Sequence, residues 1–510
     1  MNQDLTSTQN DYAIFLPATS GFYSTFIGKQ RYGNYVDPAR VPTSFHNGVE
    51  SLNYLDPSSL FYYKWCLYSA GHANLDLNKQ DDSEDMFRNR NRSNSFVLGD
   101  SGGFQIGKGV WDGDWKDPNC PKAAKKRSQV LTWMDSLMDY GMILDIPAWV
   151  ARSPAGKEAT GITSYQEAVN ATYINNDYFI QNRNGNCKFL NVLQGETHQD
   201  AEDWYQRMKH YCDPKQFPNN HFNGWAMGGQ NMCDVHLLLK RLNALRFDGL
   251  LEKGKQDWMH FLGTSKLEWA SLLTDLQRAI RKYHNDQFTI SFDCASPFLA
   301  TANGQIYIQT ETEDRTKWVY RMVASADDKK YSTDRRLFKD AVIQDGIFEN
   351  FQSSPVIDKV LIKDICIYGP NDLNKLGKIG KTSWDSFSYA IMMGHNVWMH
   401  INAVQEANRQ YDLGKIPAML VDERINRVYY KDVVNEIFAT SSKAKSEAII
   451  EEYGRYWDTI IGTRGNTGKS IVNADTKANE FGLPEAPNFK DLKQPKVEEI
   501  VETRYDNFFE

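Results

Sequence analysis

From Phe96 onward the chain repeats one unit: a short apolar run that stops at a polar residue or glycine, then an amphipathic stretch. Runs of this kind lie at Phe96–Asp100, Met142–Ile146, Lys188–Leu193, Asn223–Met227, Met259–Leu262, Phe288–Asp293 and Lys359–Ile367, and Ala13–Leu16 makes an eighth. Helical patterns over Lys125–Tyr140, Tyr165–Arg183, Gln199–Tyr211, Met232–Leu245 and Lys266–His284 separate most of them. Buried strands alternating with helices imply a parallel sheet with right-handed crossovers. Eight strands predict an α/β fold of the (β/α)8 barrel type, whose active sites sit at the C-terminal ends of the strands. A doubly wound open sheet is the alternative, and it places its ligand at one switch point rather than around a ring.

The remaining segments frame that barrel. Residues 20–95 are rich in Tyr, Asn, Gly and Asp and read as loops, short helices and a small antiparallel piece outside the repeat, with a solvated charge run at 81–85. A long insertion over about 301–358 is expected before the last strand, with the barrel domain as a whole covering 1–410. Ser383–Arg409 carries a long helical pattern, 411–470 reads as a helical extension, and 471–510 as a polar extended tail.

Composition narrows the function classes. The chain has 510 residues, 41% of them hydrophobic and 13% aromatic, with a formal net charge of −7. Those values support a real core and argue against a surface coated in positive charge, while leaving room for a local basic groove. No apolar run reaches the length of about 18 residues that a membrane span needs, and no leader pattern opens the sequence, so a soluble cytoplasmic protein is expected. The seven cysteines include no Cys-x-x-Cys pair, which favours free thiols in a reducing compartment over a disulfide framework or a locally spaced zinc site.

Chemistry collects at the strand ends. Asp100-Ser-Gly-Gly-Phe-Gln105 sets a carboxylate, two glycines that allow left-handed backbone or close approach, an aromatic face and an amide edge in one turn. Later ends contribute Asp145, Gln194 beside Gly195, the bare backbone of Gly228 and Gly229, and Asp293. Asp145 and Gln194 can meet the N–H and C=O edge of a guanine-like base, and the Gly229 N–H can donate to an exocyclic oxygen. Phe104 and Leu262 can sandwich the ring. Asp100 and Asp293 then remain as a pair able to split a glycosidic bond by double displacement. Taken singly, each has a plainer role as an N-cap, turn former or packing glycine; Trp225 and Met227 read as core. Five such ends in corresponding positions favour a site.

At these residues the sequence resembles the tRNA-guanine transglycosylase superfamily. Asp100-Ser-Gly-Gly-Phe-Gln105 matches its most specific motif, and Val192-Leu-Gln-Gly195, Ala226-Met-Gly-Gly229, Phe261-Leu-Gly263 and Phe292-Asp-Cys294 match later ones in the same order. The resemblance covers 96–300 most closely and implies a (β/α)8 barrel. It implies Asp293 as the nucleophile at C1′ and Asp100 as general acid/base. It also implies Asp145, Gln194, Gly228 and Gly229 as base-recognition residues, with Phe104, Gln105 and Leu262 around the ring. No nucleotide cofactor is implied, because one glycosidic bond is exchanged for another.

The sequence departs from the family where a Cys-x-Cys-x-x-Cys…His zinc site usually follows the barrel. Here only Cys366 and, in Gly394-His-Asn396, His395 stand, so no zinc is expected. The departure, the insertion and the extension make the chain look most like the divergent branch, including virus-encoded members, that inserts 7-deazaguanines such as a preQ0-like base into DNA. The expected partners are therefore DNA and a 7-deazaguanine base, with tRNA as the alternative polymer and a catalytically silent nucleic-acid-binding relative as a third reading; an oligomer is left open. A DNA guanine would have to leave the stack to react. Lys122, Lys125, Lys126 and Arg127, and further on Lys375, Lys378 and Lys381, are candidate phosphate contacts. Gly462-Thr-Arg-Gly-Asn-Thr-Gly-Lys-Ser470 imitates a phosphate loop but has Thr463 where that loop needs its first glycine, so nucleotide triphosphate binding is not expected.

Overall fold

The structure is a computed structural model. It describes residues 3–31, 36–79, 85–326, 329–340, 351–366, 384–424 and 426–462. The charge run at 81–84, Lys375, Lys378, Lys381, the phosphate-loop-like segment after Gly462 and the tail 471–510 lie outside the described residues.

Eight parallel strands form one sheet in chain order: β1 (Ile14–Pro17), β2 (Trp65–Ser69), β3 (Phe96–Asp100), β4 (Tyr140–Met142), β5 (Lys188–Leu193), β6 (Gly224–Met227), β7 (Trp258–Phe261) and β8 (Thr289–Cys294). β8 pairs with β1, setting Asp293 opposite Leu16, and a parallel bridge from Ala18 to Leu67 joins β1 to β2. The sheet thereby curls round on itself, and with its surrounding helices it is a (β/α)8 barrel. Its strands are apolar because both faces are covered, by helices outside and by one another's side chains inside. Part of that interior is an aromatic layer: the Trp258 ring stacks on Phe96 at 4.5 Å between centroids and meets Tyr140 at 5.1 Å.

The crossover helices start where the sequence supplies caps. Ser164, Thr197 and Asp234 each accept a hydrogen bond from a backbone N–H in the first turn of Tyr165–Asn182, His198–Met208 and Val235–Phe247. Leu267–Tyr283 is buried on most of its circumference. The cause is a second covering layer, since the long helix Ser386–Asp412 and the helix Tyr430–Ala439 both pack on it. Lys443–Glu452 packs on Val235–Phe247, where Lys240 pairs with Glu451 at 2.6 Å, so the described part of the helical extension lies on the outside of the barrel. No described helix is long and apolar enough to cross a membrane.

Two expectations need correction. The stretch Lys359–Ile367 is not a barrel strand: Leu361 makes one isolated bridge to Leu337, and Ile362–Ile365 is a helical turn. Its buried residues Val360, Ile362, Ile365 and Cys366 do not keep the alternation of a strand. The missing strand is Trp65–Ser69, inside the segment expected to be loops. Consequently 301–358 is not an insertion before the last strand. It follows β8 and contributes an antiparallel hairpin, Gln305–Glu311 with Val319–Ala324.

Candidate active site

The C-terminal ends of β2, β3, β5, β6, β7 and β8, with the loop after β4, converge on one mouth. β3 ends at Asp100, and the chain turns at once through Gly102, whose φ of +83° is left-handed and natural only to glycine. The Trp111 ring closes over that turn: a Cβ on Gly102 would stand 2.5 Å from it. Gly103 presses its backbone onto the loop after β4, where a Cβ would come within 2.8 Å of the Asp145 carbonyl and 3.3 Å of its carboxylate. The two glycines thus bring the Asp100 turn against Asp145. Asp145 itself lies three residues past the observed end of β4, not within the strand.

Asp100 accepts a hydrogen bond from Ser69 Oγ at 2.6 Å. Burial lifts its carboxyl above the usual carboxylate range; the Ser69 bond opposes that, and the negative charge of Asp293 adds to it. Asp145, only 6% exposed, accepts from Gln194 Nε2 at 2.8 Å. Burial raises it to about 7, the Gln194 bond opposes, and the Asp100 charge contributes. Each carboxylate is therefore close enough to feel the next, and the three form one cluster.

Gln194 is fixed from behind by Asn231, whose Nδ2 donates to the Gln194 main-chain oxygen at 3.1 Å. Gly228 lies against the Gln194 amide and Leu262: a Cβ there would meet Nε2 at 2.8 Å and Leu262 Cδ1 at 3.2 Å. Gly229, with φ +56°, backs onto Gly195, and a Cβ would stand 2.3 Å from the Gly195 carbonyl. Gln194, Gly228, Gly229 and Leu262 are thus neighbours, as the motif reading expects. Phe104 stands at the rim, 57% exposed, tilted against Trp149 at 6.0 Å. Gln105 packs beneath Gly71, where a Cβ would meet its Cδ at 2.3 Å, and its buried Oε1 has no hydrogen-bond partner among the described residues.

Asp293 ends the circuit on β8. Its Oδ1 lies 3.1 Å from His260 Nε2 and accepts the Gly263 N–H at 3.0 Å. Sequence reasoning missed Ser69, His260, Ser291 and Asn231, and named Gly263 only within a motif. The available signal was a polar residue inside an apolar strand, His260 two before Leu262, and polar residues at alternate positions in the next, Ser291 two before Asp293.

The basic candidates divide. Lys125 is exposed, and Lys126 Nζ sits 4.8 Å over the Trp111 ring that covers the Asp100 turn. Lys122 pairs with Asp112 at 3.0 Å in solvent. Arg127 is withdrawn from the set: it is 5% exposed, bonds Asn119 and Asn175, and lies over Tyr178, so its guanidinium holds helices together and cannot reach a phosphate.

The two residues left from the zinc pattern have other partners among the described residues. Cys366 Sγ points to the Ala326 carbonyl at 3.2 Å, and both His395 ring nitrogens are engaged, with Ser354 Oγ at 2.9 Å and the Tyr307 carbonyl at 2.7 Å. Burial drives the His395 imidazole down to about 4, which keeps it neutral as a packing residue beside the hairpin. No protein-family model and no curated protein sequence matches this chain, so it is the geometry of Asp100, Asp145, Gln194 and Asp293 that carries the functional reading.

Proposed function

We propose that the chain is a guanine transglycosylase that exchanges a guanine in DNA for a 7-deazaguanine base through a covalent glycosyl-aspartate. The observation that carries this reading is the carboxylate cluster at one barrel mouth. Two acids, Asp293 and Asp100, are followed by a pair, Asp145 and Gln194, whose groups suit the edge of guanine.

The steps follow from the residues. Guanine offers N1–H and the 2-amino group to the Asp145 carboxylate. Gln194 Nε2 has two hydrogens; one already meets Asp145, and the other, with the Gly229 N–H, would serve the base oxygen O6. Asp293 attacks C1′ through Oδ2, because its two donors both fall on Oδ1. The C1′–N9 bond breaks with oxocarbenium character, which the adjacent anions stabilise. Asp100, whose raised pKa lets it hold a proton, gives that proton to the leaving guanine. An incoming 7-deazaguanine then returns a proton from N9 to Asp100 while N9 attacks C1′ and the C1′–Oδ2 ester breaks. The polymer keeps its chain and exchanges only its base. DNA rather than tRNA follows from the sequence departure around Cys366 and His395.

The test is exchange of radiolabelled guanine into tRNA, duplex DNA and single-stranded DNA, with trapping of a covalent complex on a denaturing gel. Label is expected in DNA, with a trapped complex that Asp293→Ala abolishes. Label in tRNA alone replaces DNA as the substrate, and a complex that survives Asp293→Ala removes Asp293 as nucleophile.

A further inference from the structure

We infer that His260, held in one tautomer by Ser291 and Trp258, is a positioning residue that selects the attacking oxygen of Asp293. This rests on the transglycosylase reading and concerns a group that the motif pattern does not mark.

The register sets the geometry. His260 on β7 is paired directly with Ser291 on β8, so the two share a face of the sheet, and Asp293, two residues on, shares it too. Trp258, two residues before His260, donates its indole N–H to Ser291 Oγ at 2.8 Å. Indole nitrogen can only donate, so Ser291 Oγ accepts there and has its own proton to give. That proton goes to His260 Nδ1, 2.9 Å away. With Nδ1 accepting, the neutral ring carries its hydrogen on Nε2, which donates to Asp293 Oδ1 at 3.1 Å. His260 is fully buried, as is Ser291, so neither bond competes with bulk water.

The consequence is an asymmetric carboxylate. His260 Nε2–H and Gly263 N–H both load Oδ1. The lone pairs of Oδ2 remain the ones presented to C1′. In the ester Oδ1 becomes the carbonyl oxygen, still held by both donors. When the incoming base breaks the C1′–Oδ2 bond, the electron pair returns to the carboxylate, and the same two donors stabilise the charge that develops there. An N–H donor without a formal charge lowers the nucleophilicity of the carboxylate less than a full positive charge would.

The experiment compares His260→Phe, His260→Gln and Ser291→Ala with the wild type and Asp293→Ala in the exchange assay, and reads the His260 tautomer by ¹⁵N NMR of histidine-labelled protein. Loss of one preorganised donor at a charge-developing oxygen lowers kcat by about 100-fold. His260→Phe is expected to show that loss with KM for the incoming base unchanged. His260→Gln, which restores an N–H at similar reach, is expected to recover most of it. Ser291→Ala is expected to lower kcat by about tenfold and to weaken the Nε2–H signature, and it carries the test if His260→Phe does not fold. Wild-type kcat in folded His260→Phe, a Gln variant no better than Phe, or an Nδ1–H tautomer in the wild type overturns the inference. A folded wild type that exchanges no base on any nucleic acid overturns instead the reading on which it rests, and the two failures are thereby separated.

Discussion

Asp145 is a site carboxylate whose surroundings strongly oppose its charge. Burial raises its carboxyl from 3.8 to about 7, and only the Gln194 amide works strongly against that. A carboxyl whose folded value lies above its unfolded value costs the folded state once it ionises. The stability present at low pH is therefore lost as pH rises from about 4 through about 7, and stays lost above that. A guanine edge reverses the cost by supplying the two donors that burial took away. Asp145→Asn, which keeps an acceptor for Gln194 but not the charge, is expected to be more stable than wild type at pH 8 by on the order of 1–3 kcal/mol. The gain should shrink to nearly nothing at pH 4, and base exchange should be lost. Urea melts of both proteins at pH 4, 6 and 8 check this; a gain that does not change with pH would place its source elsewhere.

At the scale of elements, the mouth is built by strand ends that approach more closely than side chains allow. Gly195 has a φ of +127° and faces Gly229 at +56°, and Gln230 N donates to the Gly195 carbonyl at 2.7 Å. Gly229→Ala meets both a left-handed backbone, costing about 1–2 kcal/mol, and a carbonyl that cannot move aside. Its urea midpoint should fall, and in the folded fraction KM for the incoming base should rise more than kcat falls, because the displaced backbone carries a recognition N–H. These strand ends were legible in the sequence because an apolar run halted by Asp, Gln or a glycine pair is a local pattern. β2 was not. Cys66, Leu67 and Tyr68 are buried in succession, so no alternation marks the strand, and the Tyr-rich context masks it. With one strand short, Lys359–Ile367 took its place on apolar content alone. Ser69 was lost with β2. His260 and Ser291 were lost for another reason: their positions within the strands are a faint signal, and their partnership is set by the register between two strands.

At the scale of the whole molecule, the proposed function requires a chain of net charge −7 to admit a polyanion to the mouth. The basic candidates sit on the first turns of Pro121–Leu137, and they are unequal. Lys125 is exposed, and Lys126 lies on Trp111, which itself covers Gly102. The Lys122–Asp112 pair leaves little local charge to offer, and exposed pairs of this kind contribute about 0–1 kcal/mol to stability. Arg127 is spent on packing. Phosphate contacts release counterions, so each true contact adds about one to the slope of log affinity against log salt. Lys125→Ala and Lys126→Ala are each expected to weaken DNA binding and reduce that slope by roughly one. Lys122→Ala should reduce it less. Arg127→Ala should instead lower the urea midpoint and leave the slope of the folded protein unchanged. Fluorescence anisotropy with a labelled oligonucleotide from 50 to 200 mM salt, about the range over which such contacts are read, separates the four variants. A slope that Lys125→Ala and Lys126→Ala leave unaltered would mean that the strand enters the mouth across another face.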